Sequence, residues 1–276
     1  MKFEKKSAVI YGKKVWYWEK NHQQNPVMVF LHGFPGSHKG LMDLAGNIKG
    51  YRLIIPDLPA CGQSEPLQKS HSLGNYANWV NDFLGNLSIG NVVVVGHSFG
   101  ARVGLMFATK HPQKIRGLVL ITPVVKVDGL IVRIASFKGI IAKWLPIALR
   151  KAWLSSKFYH RMGHMVIFKS SSSKNRRQML ETDYKELENL DVRATIEVFD
   201  EFYHSDLVSL AKKMTAKILL VAGDRDKIAT ISSIKEFAGK LQKGSLQVIK
   251  NSGHLVPLER PLTTATVIET WLTNTQ

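Results

Sequence analysis

Ser98 stands in the run Gly96-His97-Ser98-Phe99-Gly100, directly after four consecutive valines and ahead of a segment with helical spacing. This is the G-x-S-x-G pattern of a serine lifted out of a sheet on a tight strand-to-helix turn. The glycines serve a steric end, because larger neighbours would hold strand and helix apart. The amide of Phe99 is left at a helix N-terminus, where it can meet developing negative charge. The chemistry so prepared is nucleophilic attack, and a serine needs a base for it. Ten histidines are present. His254, in Asn251-Ser252-Gly253-His254, follows the apolar run Leu246–Ile249. A loop leaving the end of a last strand can present an imidazole over the serine. His32 and His97 lie inside loop motifs and are expected to shape them. His160 and His164 have the i,i+4 spacing of two metal ligands on a helix, but no third ligand suggests itself, so no metal is expected. The base in turn needs an acid to fix its tautomer. Two aspartates compete for that role, Asp224 and Asp226, both just after the run Lys217–Ala222.

These groups need a scaffold. Apolar, β-branched runs recur at Val27–Leu31, Arg52–Ile55, Val92–Val95, Gly117–Ile121, Lys217–Ala222 and Leu246–Ile249. Continuous runs of this kind predict strands buried on both faces of a parallel sheet. Helical spacing over Leu73–Leu87, Ala101–Lys110, Ile231–Leu241 and Pro261–Leu272 fills the gaps, which predicts a doubly wound α/β sheet. Val9-Ile10 and Val15–Trp18 read as an antiparallel edge hairpin turning at Gly12. The alternation fails between about residues 125 and 210. That stretch reads as a helical insertion over the carboxyl ends of the strands, where open α/β sheets place their sites. The expected domains are a core of residues 1–124 and 211–276 and a cap of residues 125–210. Ser170–Ser173 reads as a loop.

With these motifs in place, the chain resembles the α/β-hydrolase superfamily, in its capped esterase, lipase and C–C hydrolase branch, over roughly residues 8–125 and 210–273. The resemblance implies a mostly parallel α/β-hydrolase sheet. It implies that the loop His32-Gly33-Phe34-Pro35-Gly36 supplies a second oxyanion donor, the amide of Phe34, beside that of Phe99. It favours Asp226, the fourth residue of a Gly-x-x-Asp turn, over Asp224. The family's Asp-x-x-Gly-x-Gly-x-Ser loop has a counterpart in Asp57–Ser64, but Ala60 replaces the first glycine and Cys61 takes the next place. Gly253-His254 and Glu259-Arg-Pro261 also resemble the family's C-terminal pattern. No metal or organic cofactor is implied. Related haloalkane dehalogenases and epoxide hydrolases carry an aspartate at the elbow, which Ser98 replaces. A serine with a histidine base implies an acyl-enzyme resolved by water. The leading expectation is hydrolysis of a small or medium apolar carboxylic ester. C–C cleavage and lactone hydrolysis are the enzymatic alternatives. A ligand receptor with little turnover and a membrane-surface protein are the alternatives of another class.

Composition bounds the rest. The chain has 276 residues and one cysteine, Cys61, so no intrachain disulfide can form. Lysines interrupt the apolar residues near the N-terminus, so no signal-peptide core is read there, and a cytoplasmic location is expected. The net charge is +17, and it is uneven. Residues 126–177 carry 12 Lys/Arg against one acid, and residues 178–206 carry two against nine. Within the first of these, residues 129–154 are apolar and aromatic, punctuated by Arg133, Lys138, Lys143, Arg150 and Lys151 and broken by Pro146. That basic amphipathic pattern fits an apolar lid over an acyl pocket, attraction to an anionic membrane surface, or plain solvation of a helical cap. It also allows pairing with the acidic segment beside it. No nucleic-acid motif accompanies the charge.

Overall fold

The computed structural model describes residues 2–125, 139, 141–156, 184, 186, 187, 189–212 and 214–274. Eight strands form one sheet: β1 (Glu4–Ile10), β2 (Lys13–Lys20), β3 (Val27–Leu31), β4 (Arg52–Pro56), β5 (Val92–His97), β6 (Ile115–Ile121), β7 (Ile218–Gly223) and β8 (Gly244–Ile249). Their order across the sheet is β1-β2-β4-β3-β5-β6-β7-β8. The edge hairpin pairs antiparallel within itself and onto β4, and every other pairing is parallel. Tyr11 and Gly12 make the hairpin turn, both with positive φ (54° and 73°). A two-residue loop between right-twisted strands favours that conformation.

Period-two alternation divides the central strands between two cores. Val29 and Leu31 of β3, Val94 of β5 and Leu220 of β7 face one side. Met28 and Phe30, Val93 and Val95, and Leu219 and Val221 face the other. The first face is covered by α2 (Leu73–Asn86), α3 (Phe99–Lys110) and α7 (Ile231–Ala238), through residues such as Tyr76, Phe83, Phe107 and Phe237. The second is covered by α1 (Lys39–Gly46) and α9 (Pro261–Thr273), through Leu41, Leu44, Ile268 and Leu272. Layers on both faces explain why these strands read as unbroken apolar runs. The edge strand β8 departs from that expectation. Only Ile249 in it is fully buried, and Val248 is exposed.

Between β6 and β7 the described residues include α4 (Ile147–Leu154), α5 (Val192–His204) and α6 (Leu207–Lys212). Residues 141–144 are helical, the helix stops before Pro146, and Pro146 is the N-cap of α4, so the helical pattern breaks where the sequence predicts it. Ala142, Leu154, Leu187 and Leu190 form a small separate core here. α8 (Val256–Glu259) is a single turn after β8. The pair His160 and His164, the run Ser170–Ser173, Arg133 and Lys138 lie outside the described residues. Among the described residues no helix is long and apolar enough to cross a membrane.

Candidate active site

The sheet reverses its winding direction at β3: β4 lies on one side of it and β5 on the other. In open α/β sheets the crevice at such a switch point is where ligands bind. The loops after β3 and β5 meet there, and they carry Phe34 and Ser98.

Ser98 adopts φ 52°, ψ −112°, a conformation L residues rarely hold, and its amide donates to Ile121 O at 3.0 Å. Strain of this kind persists only where the surroundings fix it. The two flanking glycines show how tightly they do. A Cβ on Gly96 would lie 2.4 Å from Gly100 O, and one on Gly100 would lie 2.0 Å from Leu31 O. Both obstacles are backbone, so a larger residue at 96 must push α3 off β5 and one at 100 must push it off β3.

His254 joins the serine to an acid. Its Nε2 lies 3.0 Å from Ser98 Oγ, and its Nδ1 lies 2.8 Å from Asp226 Oδ2. All three residues are buried. The other carboxylate oxygen of Asp226 accepts the amides of Ile228 (2.7 Å) and Ala229 (3.0 Å). Those bonds fix which oxygen faces the imidazole. The carboxylate then requires Nδ1 to carry the proton, which leaves Nε2 as acceptor for the serine hydroxyl. Asp224 does not reach His254. It is exposed, and it accepts the Ser252 amide at 3.1 Å, holding the loop that carries the histidine.

The supporting histidines act as loop braces. His97 donates from Nε2 to the backbone oxygen of His254 at 3.0 Å. Burial, and next the nearby His254, push its pKa down to about 3, so the ring is neutral. His32 accepts the Leu58 amide at Nε2 (2.9 Å) and donates from Nδ1 to Gly33 O (2.8 Å). Burial lowers its pKa as well. A Cβ on Gly33 would come 3.2 Å from His97 Nδ1 and 3.3 Å from Ser98 Cβ, so this loop lies directly against the serine turn. Neither the Phe34 nor the Phe99 amide donates to an acceptor among the described residues.

Three further contributors have no role assigned from the sequence. Thr122, fully buried, donates its hydroxyl to His254 O at 3.1 Å, the second bond to that carbonyl. Glu259 accepts the Gly253 amide with both oxygens, at 3.1 and 3.2 Å. Its only sequence signal was its place in the Glu-Arg-Pro pattern. Arg102, four residues after the serine, is fully buried and donates to the carbonyls of Val124, Glu201 and Ser205. It thus ties α3 to the end of β6 and to the C-terminal end of α5. Burial lowers its pKa to about 10.

α5 also supplies an aromatic wall. Phe199 packs edge-on to Phe34 (6.4 Å), and Phe202 lies 5.7 Å from Phe99. Phe34 and Phe99 themselves meet at 5.9 Å. α5 is anchored to the core by Glu197, which accepts the His71 amide (2.7 Å) and His71 Nδ1 (2.9 Å), and by Arg193, which donates to Leu67 O. The loop Asp57–Ser64 keeps its shape despite the missing glycine. Asp57 accepts the amides of His38 (2.8 Å) and Gln63 (2.9 Å), and Ala60 takes up φ 64°. Burial opposes the Asp57 charge, but the His38 contacts outweigh it and hold the carboxyl below the usual range. Among the described residues no group of three His, Cys, Asp or Glu could hold a metal.

Known proteins agree with this architecture. The family profile described as the alpha/beta hydrolase fold matches residues 26–164. The uncharacterized hydrolase YugF of Bacillus subtilis (strain 168) is 28% identical over 259 residues, which cover 91% of each chain. A thermophilic esterase from Thermogutta terrifontis superposes with a TM-score of 0.82 at 19% identity, covering 99% of both chains. Haloalkane dehalogenase DbeA from Bradyrhizobium elkani reaches the same TM-score at 18% identity, covering 99% of this chain and 98% of its own. An esterase and a dehalogenase superpose equally well, so these likenesses speak of fold and leave the reaction to the site. The sheet order, the strained serine turn at its switch point and the match over half the sequence converge: the chain belongs to the α/β-hydrolase fold family and is a hydrolase.

Proposed function

We propose that the protein hydrolyses a carboxylic ester of a small or medium apolar acid through an acyl-enzyme on Ser98. The observation that carries this is His254 held between Ser98 Oγ (3.0 Å) and Asp226 Oδ2 (2.8 Å). In this reading Ser98 attacks the acyl carbonyl while His254 takes its proton at Nε2. The imidazolium, steadied by Asp226, returns that proton to the leaving alcohol. Water enters by the same route and releases the acid. The Phe34 and Phe99 amides hold the oxyanion in this reading, which their lack of a protein acceptor among the described residues supports. Residues 125–210 serve as a lid, and the rings of Phe34, Phe99, Phe199 and Phe202 give the acyl group apolar walls.

The test is hydrolysis of p-nitrophenyl esters from acetyl to palmitoyl by wild type and Ser98→Ala side by side. Activity confined to wild type is expected, with the preferred chain length sizing the pocket. Equal activity in the variant removes the serine mechanism. A folded wild type inert on every ester removes the ester assignment and moves the substrate to a lactone or a C–C bond.

A further inference from the structure

The described protein exposes eight large apolar side chains, and three of them lie on one turn. Trp144 is 86% exposed and Ile147 is 81% exposed, the two highest values among these residues, and Leu149 is 54% exposed. They flank Pro146, where the chain enters α4. An indole and two aliphatic side chains exposed within six residues at a helix start are costly to leave in water and make an apolar knob.

The surroundings say what covers it. Lys143 and Lys151 are exposed beside the knob, and Arg150 caps the carbonyls of Leu145 (3.0 Å) and Lys143 (3.2 Å), which stiffens the turn. By sequence the flanking stretches 126–138 and 157–177 add nine Lys/Arg against one acid. Three described acids of the stretch that follows are engaged elsewhere. Glu186 bonds Ser37 and Lys39, Glu197 bonds His71, and Asp191 caps α5. Among the described residues only Lys143 with Asp200 pairs the two stretches. An exposed tryptophan with aliphatic neighbours on a basic, acid-poor segment matches the interface of an anionic bilayer, where apolar side chains enter the acyl boundary and lysines meet headgroup charge.

We propose that the turn Lys143–Lys151 docks this protein on an anionic lipid surface, with Trp144 and Ile147 as the inserted residues. The position suits delivery to the site. Asp200, the partner of Lys143, is on α5, whose Phe199 packs on Phe34 beside the serine turn. A Cβ on Gly139, four residues before this turn, would lie 2.6 Å from Phe199 Cβ, so the chain leading into the turn passes directly against that aromatic wall. A docked molecule holds its aromatic wall near the lipid.

The experiment is co-sedimentation of the full chain with vesicles of phosphatidylglycerol and phosphatidylcholine, or phosphatidylcholine alone, at low and at high salt. The wild type is compared with Trp144→Ser/Ile147→Ser and with Lys143→Gln/Lys151→Gln. Circular dichroism and hydrolysis of a water-soluble ester check that the variants fold. The expected result is binding to anionic vesicles that fades at high salt. The Trp144→Ser/Ile147→Ser variant should bind at least about tenfold more weakly, since burying either side chain is worth more than a tenfold gain. The lysine variant should lose roughly fivefold per charge. No binding of wild type to anionic vesicles at low salt overturns the proposal. So does binding undiminished in the apolar variant, which would leave only diffuse charge attraction. Concentration-dependent dimerisation abolished by the apolar variant, with no vesicle binding, assigns the knob to a second copy and likewise overturns it.

Discussion

Exchanging Asp226 for asparagine tests the site at its most specific point. The Ile228 and Ala229 amides both donate to Oδ1 of Asp226. An asparagine in the same rotamer must keep its oxygen there, so its NH2 group takes the place of Oδ2, 2.8 Å from His254 Nδ1. A donor now faces Nδ1, and the imidazole is driven to the tautomer protonated at Nε2. That proton points at Ser98 Oγ, and the base is lost. The imidazolium formed during attack also loses its counter-charge. At an effective dielectric of about 20, unit charges this close attract by ~6 kcal/mol, or about four powers of ten in rate. We expect kcat for a p-nitrophenyl ester to fall about 10⁴-fold in Asp226→Asn, the usual scale for this change in a serine triad, with KM little altered. Asp224→Asn is the control. It leaves an exposed oxygen that can still accept the Ser252 amide, so kcat should stay within about threefold, the size of a weakened surface hydrogen bond. Thermal unfolding of all three proteins separates chemistry from folding. An Asp226→Asn variant that keeps a tenth of the wild-type rate, or an Asp224→Asn variant that loses as much, refutes the assignment of the acid.

Thr122→Val keeps the shape and removes one of two bonds to His254 O. Denaturant unfolding should show a loss of ~1 kcal/mol, and kcat should fall by no more than about fivefold; an unchanged stability refutes the bond. Ala60 sits at φ 64°, a conformation costing an alanine ~1–2 kcal/mol, so Ala60→Gly should gain ~0.5–1 kcal/mol after the entropy of the freer unfolded chain. A lower melting temperature in that variant would show that the loop needs the methyl group more than the relief. His97 is neutral and buried with a pKa of about 3, below the ~6.5 of an unfolded histidine. The unfolded state therefore binds the extra proton first, and stability is fully present above about pH 6.5 and lost as pH falls below it, by at most ~1.4 kcal/mol per pH unit. Buried His32 and His71, also shifted down, act in the same direction. Between pH 6.5 and 5, above the range where the carboxylates titrate, His97→Gln should flatten this slope, and an identical slope in the variant removes His97 from the account.

What the sequence displayed was set by local chemistry. Val92–Val95 had to be a doubly buried strand, and glycines two residues either side of Ser98 had to mark a turn with no room for side chains; both forecasts match the backbone. β8 read like its neighbours because Leu246–Ile249 is apolar, but its place at the sheet edge is a property of strand order, which no local pattern carries. α1 escaped notice because its eight residues begin and end near glycines, which dilute helical spacing. Thr122 and Arg102 escaped for a different reason. The Thr122 partner lies 132 residues away and the Arg102 partners 22, 99 and 103 residues away, and one hydroxyl or guanidinium gives no sign of the carbonyl it will find. The choice between Asp224 and Asp226 rested on resemblance alone; the distance to Nδ1 distinguishes the two groups in space.

The spacing of the three central groups along the chain has a consequence for the protein's history in the cell. Ser98 and His254 are 156 residues apart, and their meeting depends on β7 and β8 being in register beside β5 and β6. Chains are made from the N-terminus onward, so the serine turn is synthesised long before its base exists. A nascent or half-folded molecule carries an ordinary alcohol at position 98, with no more reactivity than any other serine. On the proposed reading, Ser98 is paired with its base only once the loop after β8 is in place, so no activated nucleophile is exposed while the chain is still open to its neighbours.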